Sequence, residues 1–301
     1  MSNIEITLDG GGIRDTFHND WDQCEARGLL HIENLEGWLG GVGASVTPDI
    51  NRFRRHGKFP GRTIRSARKM DLTLTWHRSL SPDDPQGYMT GARIASSIAW
   101  DEGPYRMTVN EDGFILSAEV QLDGEPAFQP IQAGSTQAFR MRIPLRANDP
   151  FLYSPPAETT ISGSTQVPVA APQPFSHGLF DRDGNQVFAW TVPTYRPAAL
   201  NNEGTADAYP IIELVADDPR GAEIVIEGGT VQYGAPIYAQ SPVLIDYKRG
   251  SATVNGRDAS FNLRKREWRP IPPHSSTQPR LNFLSESGRG FGRATVRSTW
   301  I

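Results

Sequence analysis

Apolar and polar residues alternate most clearly at Met70, Leu72, Leu74 and Trp76, with Asp71, Thr73, Thr75 and His77 between them. A period of two places one set of side chains on a core and the other in water or an interface, so this run predicts a strand. Phe114, Leu116, Ala118, Val120 and Leu122 repeat the pattern, bracketed by the turn dipeptides Asp112-Gly113 and Asp123-Gly124. A third run sets Phe139, Met141, Ile143 and Leu145 against Arg140, Arg142 and Arg146, which makes its wet face cationic. One segment departs from period two. Tyr88, Ala92, Ala95 and Ala99, with Ile94 and Ile98, recur at helical spacing between Ser81-Pro82-Asp83-Asp84-Pro85 and Gly103-Pro104, predicting a helix near residues 85–100.

After Asn148-Asp149-Pro150 the chain changes character, with eight prolines between Pro150 and Pro197. Proline breaks regular pairing, so a domain boundary is expected near residue 150, giving domains 1–150 and 151–301. The remainder predicts short strands: Tyr209 to Ala216, Glu223 to Glu227, Pro242 to Tyr247, Ala252 to Val254 joined through Asn255-Gly256 to Ser260–Leu263, Leu281 to Leu284, and Ala294 to Ile301. That spacing suits a sandwich. The 29 Gly and 24 Pro among 301 residues reinforce a turn-rich, mainly β reading.

Candidate chemistry is sparse. Cys24 is the single cysteine, which excludes an internal disulfide, a thiolate-rich zinc site and an iron–sulfur cluster. Its acidic neighbours Asp22 and Glu25 disfavour the thiolate, so an inert thiol is expected. His18, His31, His56, His77, His177 and His274 show no ligand spacing, and no metal or cofactor is assigned. The zincin, redox Cys-x-x-Cys, nucleophile-elbow and phosphate-loop motifs are all missing. Gly288-Arg289-Gly290-Phe291-Gly292 is read as turn or close backbone approach, and Asp181-Arg182-Asp183-Gly184-Asn185 as a turn, since Val192 stands where a calcium loop needs its bidentate Glu. The first ten residues lack the basic and apolar regions of a signal peptide, and no run approaches the ~18 apolar residues of a membrane helix, so neither export nor membrane residence is expected.

Thirty basic against 34 acidic residues leave a net charge of −4, but the charges are segregated. Residues 1–36 hold Glu5, Asp9, Asp15, Asp20, Asp22, Glu25, Glu33 and Glu36 against Arg14 and Arg27. Residues 52–69 hold Arg52, Arg54, Arg55, Lys58, Arg62, Arg65, Arg68 and Lys69 with no acid among them. If the alternation of Met70 to Trp76 continued backwards, Arg68 and Arg62 would point at the core. Burying an unpaired charge is costly, so the pairing is expected to break or bulge upstream of residue 70, leaving 52–66 as a projecting loop or arm.

Several segments together resemble the distal tail proteins of long-tailed bacteriophages, the minor tail proteins that join tail tube to tip. The strongest is the run Asn202-Glu203-Gly204-Thr205 leading to Pro210-Ile211-Ile212-Glu213-Leu214; Ile245-Asp246, the Asn255-Gly256 hairpin, Trp268-Arg269-Pro270-Ile271 and Val296 to Trp300 follow in the family's order. In the first half, His56-Gly57, Arg62-Thr63-Ile64, the strand through Trp76 and the helix fit the same plan. Gly204 is expected to supply a positive φ, Asn255-Gly256 a type I′ turn, and Pro210 a strand start; Thr205, Asp246, Trp268 and Trp300 complete the fold-carrying set. The chain departs from the family at Pro272 to Pro279, where a Pro-Gly-x-Asn turn is common.

The resemblance implies an N-terminal β domain that forms a ring and carries one helix, and a C-terminal galectin-like sandwich. It further implies a non-enzymatic ring adaptor, most simply a hexamer, that contacts the tail tube protein, the distal tail hub protein and the tape measure protein. DNA would transit without specific binding, and the protein would reside in the virion tail after assembly in the host cytoplasm. Arg52, Arg54, Arg55, Lys58, Arg62 and Arg65 are then candidate residues of a subunit or partner interface, with the acidic segment 1–36 as one complement. Two rivals from other classes are a carbohydrate-binding module, with Trp190, Tyr195, Tyr233 or Tyr238 as stacking platforms, and a hydrolase with a dispersed acid pair, which no spacing here supports.

Overall fold

The computed structural model describes residues 3–10, 13–22, 24, 30–40, 45–46, 50–51, 58–59, 64–79, 104–133, 136–165 and 198–301. The chain is mainly β and divides into two compact units, Met1–Pro155 with Trp300–Ile301, and Pro156–Thr299. The helix expected near 85–100, the calcium-like turn, and Trp190 and Tyr195 lie outside the described residues.

The first unit contains β1 (Ile4–Gly10), β2 (Ile13–His18), β3 (His31–Glu36), β4 (Ser45–Val46), β5 (Ile50–Asn51), β6 (Lys58–Phe59), β7 (Ile64–Arg65), β8 (Arg68–Ser79), β9 (Tyr105–Glu111), β10 (Phe114–Leu122), β11 (Ala127–Ala133), β12 (Thr136–Ala147) and β13 (Leu152–Tyr153). Strands pair in the order β12-β8-β3-β2-β1-β9-β10. The ends of β10 then meet β12 through Gln121↔Arg146 and Leu122↔Leu145. That contact turns the sheet into a barrel, leaving β11 as an extra strand on β12. The alternating residues of the three strongest runs fill it: Met70, Leu72, Leu74, Trp76, Leu116, Val120, Phe139, Met141, Ile143 and Leu145 are all buried. Trp76 stacks on Phe139 with ring centroids 5.5 Å apart.

The second unit contains β14 (Ala157–Thr165), β15 (Leu200–Asn202), β16 (Ile211–Asp217), β17 (Ala222–Ile226), β18 (Gly229–Tyr233), β19 (Val243–Asp246), β20 (Ser251–Val254), β21 (Arg257–Asp258), β22 (Leu263–Arg266), β23 (Ser275–Thr277), β24 (Arg280–Phe283) and β25 (Arg289–Val296); β26 (Thr299–Trp300), which closes the chain, belongs to the first unit's sheet, beside β13. β14 serves two ladders. Ala157–Ser162 run antiparallel to β25, and Gly163–Thr165 run parallel to β24. One ladder carries β16, β19, β20 and β21, the other β17, β18 and β22, and both send side chains into one core that includes Ile212, Leu214, Ile245, Ile224, Val231 and Phe283. A strand shared between two ladders is how a β-sandwich turns its corner.

Two local expectations change. Ser260–Asn262 form a 3₁₀ turn, and the strand that follows begins at Leu263. The Asp258 carboxylate accepts from both the amide and the hydroxyl of Ser260, and this local competition bends the backbone away from a ladder. The last predicted strand is two, Arg289–Val296 and Thr299–Trp300, and the glycine cluster runs into the first of them, with Gly288 just before it and Gly290 and Gly292 inside it. Close approach accounts for two of the three glycines: a Cβ on Gly288 would strike Asp218 and Phe283, and one on Gly290 would strike the Val215 carbonyl.

Candidate interaction surfaces

Four of the basic interface candidates, Arg52, Arg54, Arg55 and Arg62, lie outside the described residues. Lys58 belongs to β6 and Arg65, exposed, to β7. Around them the chain makes two short antiparallel ladders, Ser45↔Arg65 with Val46↔Ile64, and Ile50↔Phe59 with Asn51↔Lys58, offset from each other by one residue. This nesting of pairs defines a two-stranded arm inserted between β3 and β8. Among the described residues each ladder joins only two strands, and neither pairs with the unit's main sheet.

The expected disruption upstream of residue 70 does not occur where the charge argument places it. β8 begins at Arg68 and keeps unbroken register with β12 from Arg68↔Ala147 to Ser79↔Thr136. Arg68 is wholly buried. Backbone carbonyls, which the sequence argument did not count as partners, receive its guanidinium: Nε donates to Pro150 O at 2.8 Å, and Nη1 to Gly37 O at 3.2 Å and to Trp38 O.

The cationic face of β12 is neutralised within the chain. Arg140 grips Glu33 with two hydrogen bonds, and Arg142 grips Asp71 at 3.0 and 2.7 Å. The hydrogen bond and charge of Asp71 raise the Arg142 guanidinium above its ordinary value. Asp123 receives Lys69 at 2.9 Å and Arg146 at 3.3 Å. Its carboxyl is lowered, first by the Lys69 hydrogen bond and then by the two positive charges. With its arginines engaged by acids, this face offers little free charge to a polyanion. Glu33, one acid of the segment read as a complement to the basic stretch, is already held by Arg140.

In the second unit the motif residues converge on a structural node. Asn202 is buried, and its side chain spends every hydrogen-bonding site on backbone. Oδ1 accepts from the Gly204 and Thr299 amides, while Nδ2 donates to Ala206 O at 2.7 Å, Ile271 O at 3.0 Å and Pro272 O at 3.1 Å. Gly204 corrects its expectation: it is absent from the positive-φ positions, and glycine is needed because a Cβ would overlap the Thr299 backbone. Asn255 and Gly256, at φ 50° and 75°, make the expected turn. Asp246 Oδ1 caps a turn by accepting from Lys248 N and Arg249 N, both at 2.9 Å. Trp268 covers that turn, its ring 5.2 Å from Tyr247 and edge-on to it. Pro210 directly precedes β16, and Thr205 is exposed. Trp300 packs on the first unit's core, 5.5 Å from Phe114. At the family's departure point His274 takes φ 51° and donates its amide to Gly204 O, so the altered loop still closes on the node.

Sequence reasoning missed Asp218. Its Oδ1 accepts from Arg220 N and Gly221 N, its Oδ2 from Ser285 N and Oγ, which ties two loops of the sandwich together. The turn-rich run Asp217-Asp218-Pro219-Arg220-Gly221 was the available signal.

Cys24 is buried, and its Sγ points at the carbonyls of His18 and Leu30. Burial raises its pKa, and the Asp20 charge adds to the rise. Among the described residues no group of three or more His, Cys, Asp or Glu could hold a metal. A cleft of about 450 Å³ in the first unit is floored by Ile4, Ile32, Leu35, Trp38 and Val109. Three of its polar rim residues are committed elsewhere: His31 Nε2 meets Asn19 O at 3.1 Å, Glu33 meets Arg140, and Asn34 donates to Glu36. Of the two proposed stacking platforms that are described, Tyr233 is buried, with its hydroxyl accepting from Asn262, and Tyr238 is exposed.

No protein-family model matches the sequence, and no curated protein matches it. Solved structures do. The chain superposes on the SPP1 Dit protein, described as a paradigm of the hub adsorption apparatus in phages that infect Gram-positive bacteria, with a TM-score of 0.59 at 10% identity over 98% of this chain and 99% of that one. It also aligns with chains of the phage P2 baseplate in its activated conformation, with Ca at a TM-score of 0.47 and with Sr at 0.46, each at 13% identity over 99% of this chain and 98% of the other. The fold assignment rests on the first: this chain has the fold of a phage distal tail (Dit) protein.

Proposed function

We propose that this chain is a structural protein of a phage tail tip, a homo-oligomeric ring adaptor that joins the tail tube to the distal hub. The observation that carries the reading is the end-to-end correspondence with SPP1 Dit, which extends over 98% of this chain. A single β module hosts many functions, whereas a match that runs the length of both chains is a narrower likeness. The site chemistry supports it. Cys24, Asp218 and His31 are each engaged with backbone, which suits a protein that assembles rather than turns over substrate.

In this reading the N-terminal unit closes the ring, most simply as a hexamer, and the C-terminal unit is a galectin-like sandwich. The tube, hub and tape measure proteins are the neighbours, and the assembly resides in the virion tail. A tail ring must let DNA pass, and cations lining its lumen would retain DNA by counterion release. The basic stretch from Arg52 to Arg65 is therefore assigned to a subunit or partner contact, where charge sets docking and register. A closed interface between unlike surfaces of one chain is what builds a ring. Electron microscopy of the purified protein tests this reading: closed rings support the adaptor, while isolated monomers together with glycan-array binding favour a carbohydrate-binding module.

A further inference from the structure

Arg68 heads the fully buried side chains of the described residues by volume, and it sits where the arm is rooted. The β3–β8 ladder ends at Glu36↔Asp71. Beyond that pair the two strands part, and the chain leaves β3 toward the arm through Gly37 and Trp38. Their carbonyls, which lie beyond the β3–β8 ladder, are taken by the Arg68 guanidinium. The same group holds Pro150 O, at the point where β12 has ended. A second observation marks the same crossing. Gly37 has φ +78° and lies so close to β8 that a Cβ would strike the Lys69 carbonyl.

Among the described residues no carboxylate pairs with this guanidinium, and its Nη2 has no hydrogen-bond partner. A buried cation without an acid is a poor way to gain stability, since an apolar side chain of similar volume would fill the space at lower desolvation cost. Three carbonyls from two separate chain segments, however, can be brought together by one rigid planar fork, which an apolar residue or a point-charge ammonium does not reproduce.

We propose that Arg68 is a positioning residue that clasps the root of the arm, joining its entry at Gly37 and Trp38 to its exit at Arg68 and so fixing how the arm leaves the barrel. The consequence for assembly rests on the reading of the arm as a docking element; the clasp itself does not. The test is hydrogen exchange on the full chain, dilute and unassembled, comparing wild type with Arg68→Met and Arg68→Lys. Exchange at Ser45–Val46 and Ile64–Arg65 is expected to rise by about tenfold or more in both variants, while Ile6 in β1 and Met107 in β9 stay as protected as before. A folded variant with wild-type protection at the arm ladders overturns the proposal, as does equal loss at β1 and β9. If Arg68→Met fails to fold, Arg68→Lys decides, and failure of both means a core role and overturns the clasp. A loosened arm in a protein that never forms rings keeps the clasp and removes the ring reading instead.

Discussion

Gly204 and Thr299 approach each other so closely that a Cβ on Gly204 would lie within the Thr299 backbone. The contact joins the Asn202–Thr205 turn to the last strand, where Ala206 N donates to Thr299 O at 2.9 Å. Gly204→Ala forces these backbones apart. Overpacking costs typically ~1–3 kcal/mol, and rigid backbone on the receiving side places this site at the upper end. Urea denaturation of the C-terminal unit should show a midpoint lowered accordingly, while the same substitution at Gly256, which has open space around its α-carbon and only a φ penalty, should cost less.

Asn202 satisfies five backbone groups with one amide. Asn202→Leu takes this partner from the Gly204 and Thr299 amides and the Ala206 carbonyl, while Ile271 O keeps the Ala208 amide and Pro272 O the Ser275 hydroxyl, and a loss of about 3 kcal/mol in denaturant stability is expected. Asn202→Asp replaces the Nδ2 donor with an oxygen facing three carbonyls. The carboxyl is then better protonated in the folded state, its pKa is raised, and stability should recover as pH falls through that raised value. A variant that loses stability monotonically on acidification would contradict the assigned orientation of the amide.

The alternation that specifies the barrel strands was legible because one face of each is buried and the other wet. Met70 to Trp76 and Phe139 to Leu145 need no more than period two to be placed. Arg68 was not legible for the converse reason. A charge is matched here by carbonyl oxygens, which every residue carries and no sequence advertises. The importance of Gly204 was readable but its cause was not, since close approach and positive φ leave the same letter. The acids that neutralise β12 come from β3, β8 and the loop after β10, and only register brings Glu33, Asp71 and Asp123 to Arg140, Arg142 and Arg146.

Asp123 gives the first unit an acid-sensitive contact. Lys69 and Arg146 hold its folded pKa below the ordinary 3.8. A depressed carboxylate contributes stability that is fully present above the unfolded value and is lost as pH falls through the folded one. Asp123→Asn should therefore lower the melting temperature slightly at neutral pH, by the small amount that suits a partly exposed pair, and converge with wild type as pH falls below about 4.

Cys24 should resist aromatic disulfide reagents in the native protein and react fully once unfolded, because burial and the raised pKa withhold the thiolate. Dithiothreitol and EDTA should leave the melting temperature unchanged. A substantial drop in either would reveal a covalent or metal staple that this account does not contain.

Reversing Arg52, Arg54 and Arg55 to Glu together should impair ring or tail assembly while circular dichroism and melting of the isolated chain stay near wild type. Individual surface ion pairs contribute only ~0–1 kcal/mol, so single reversals should have weaker effects than the triple. Normal assembly of the triple variant would remove this stretch from the interface.

Native mass spectrometry of the purified chain, across a wide concentration range and alone or with the proposed neighbours, a tail tube and a hub protein, addresses the proposed ring directly. The account predicts a closed species at six times the chain mass, weakened by the triple charge reversal. A monomer at every concentration, with and without those neighbours, would contradict it.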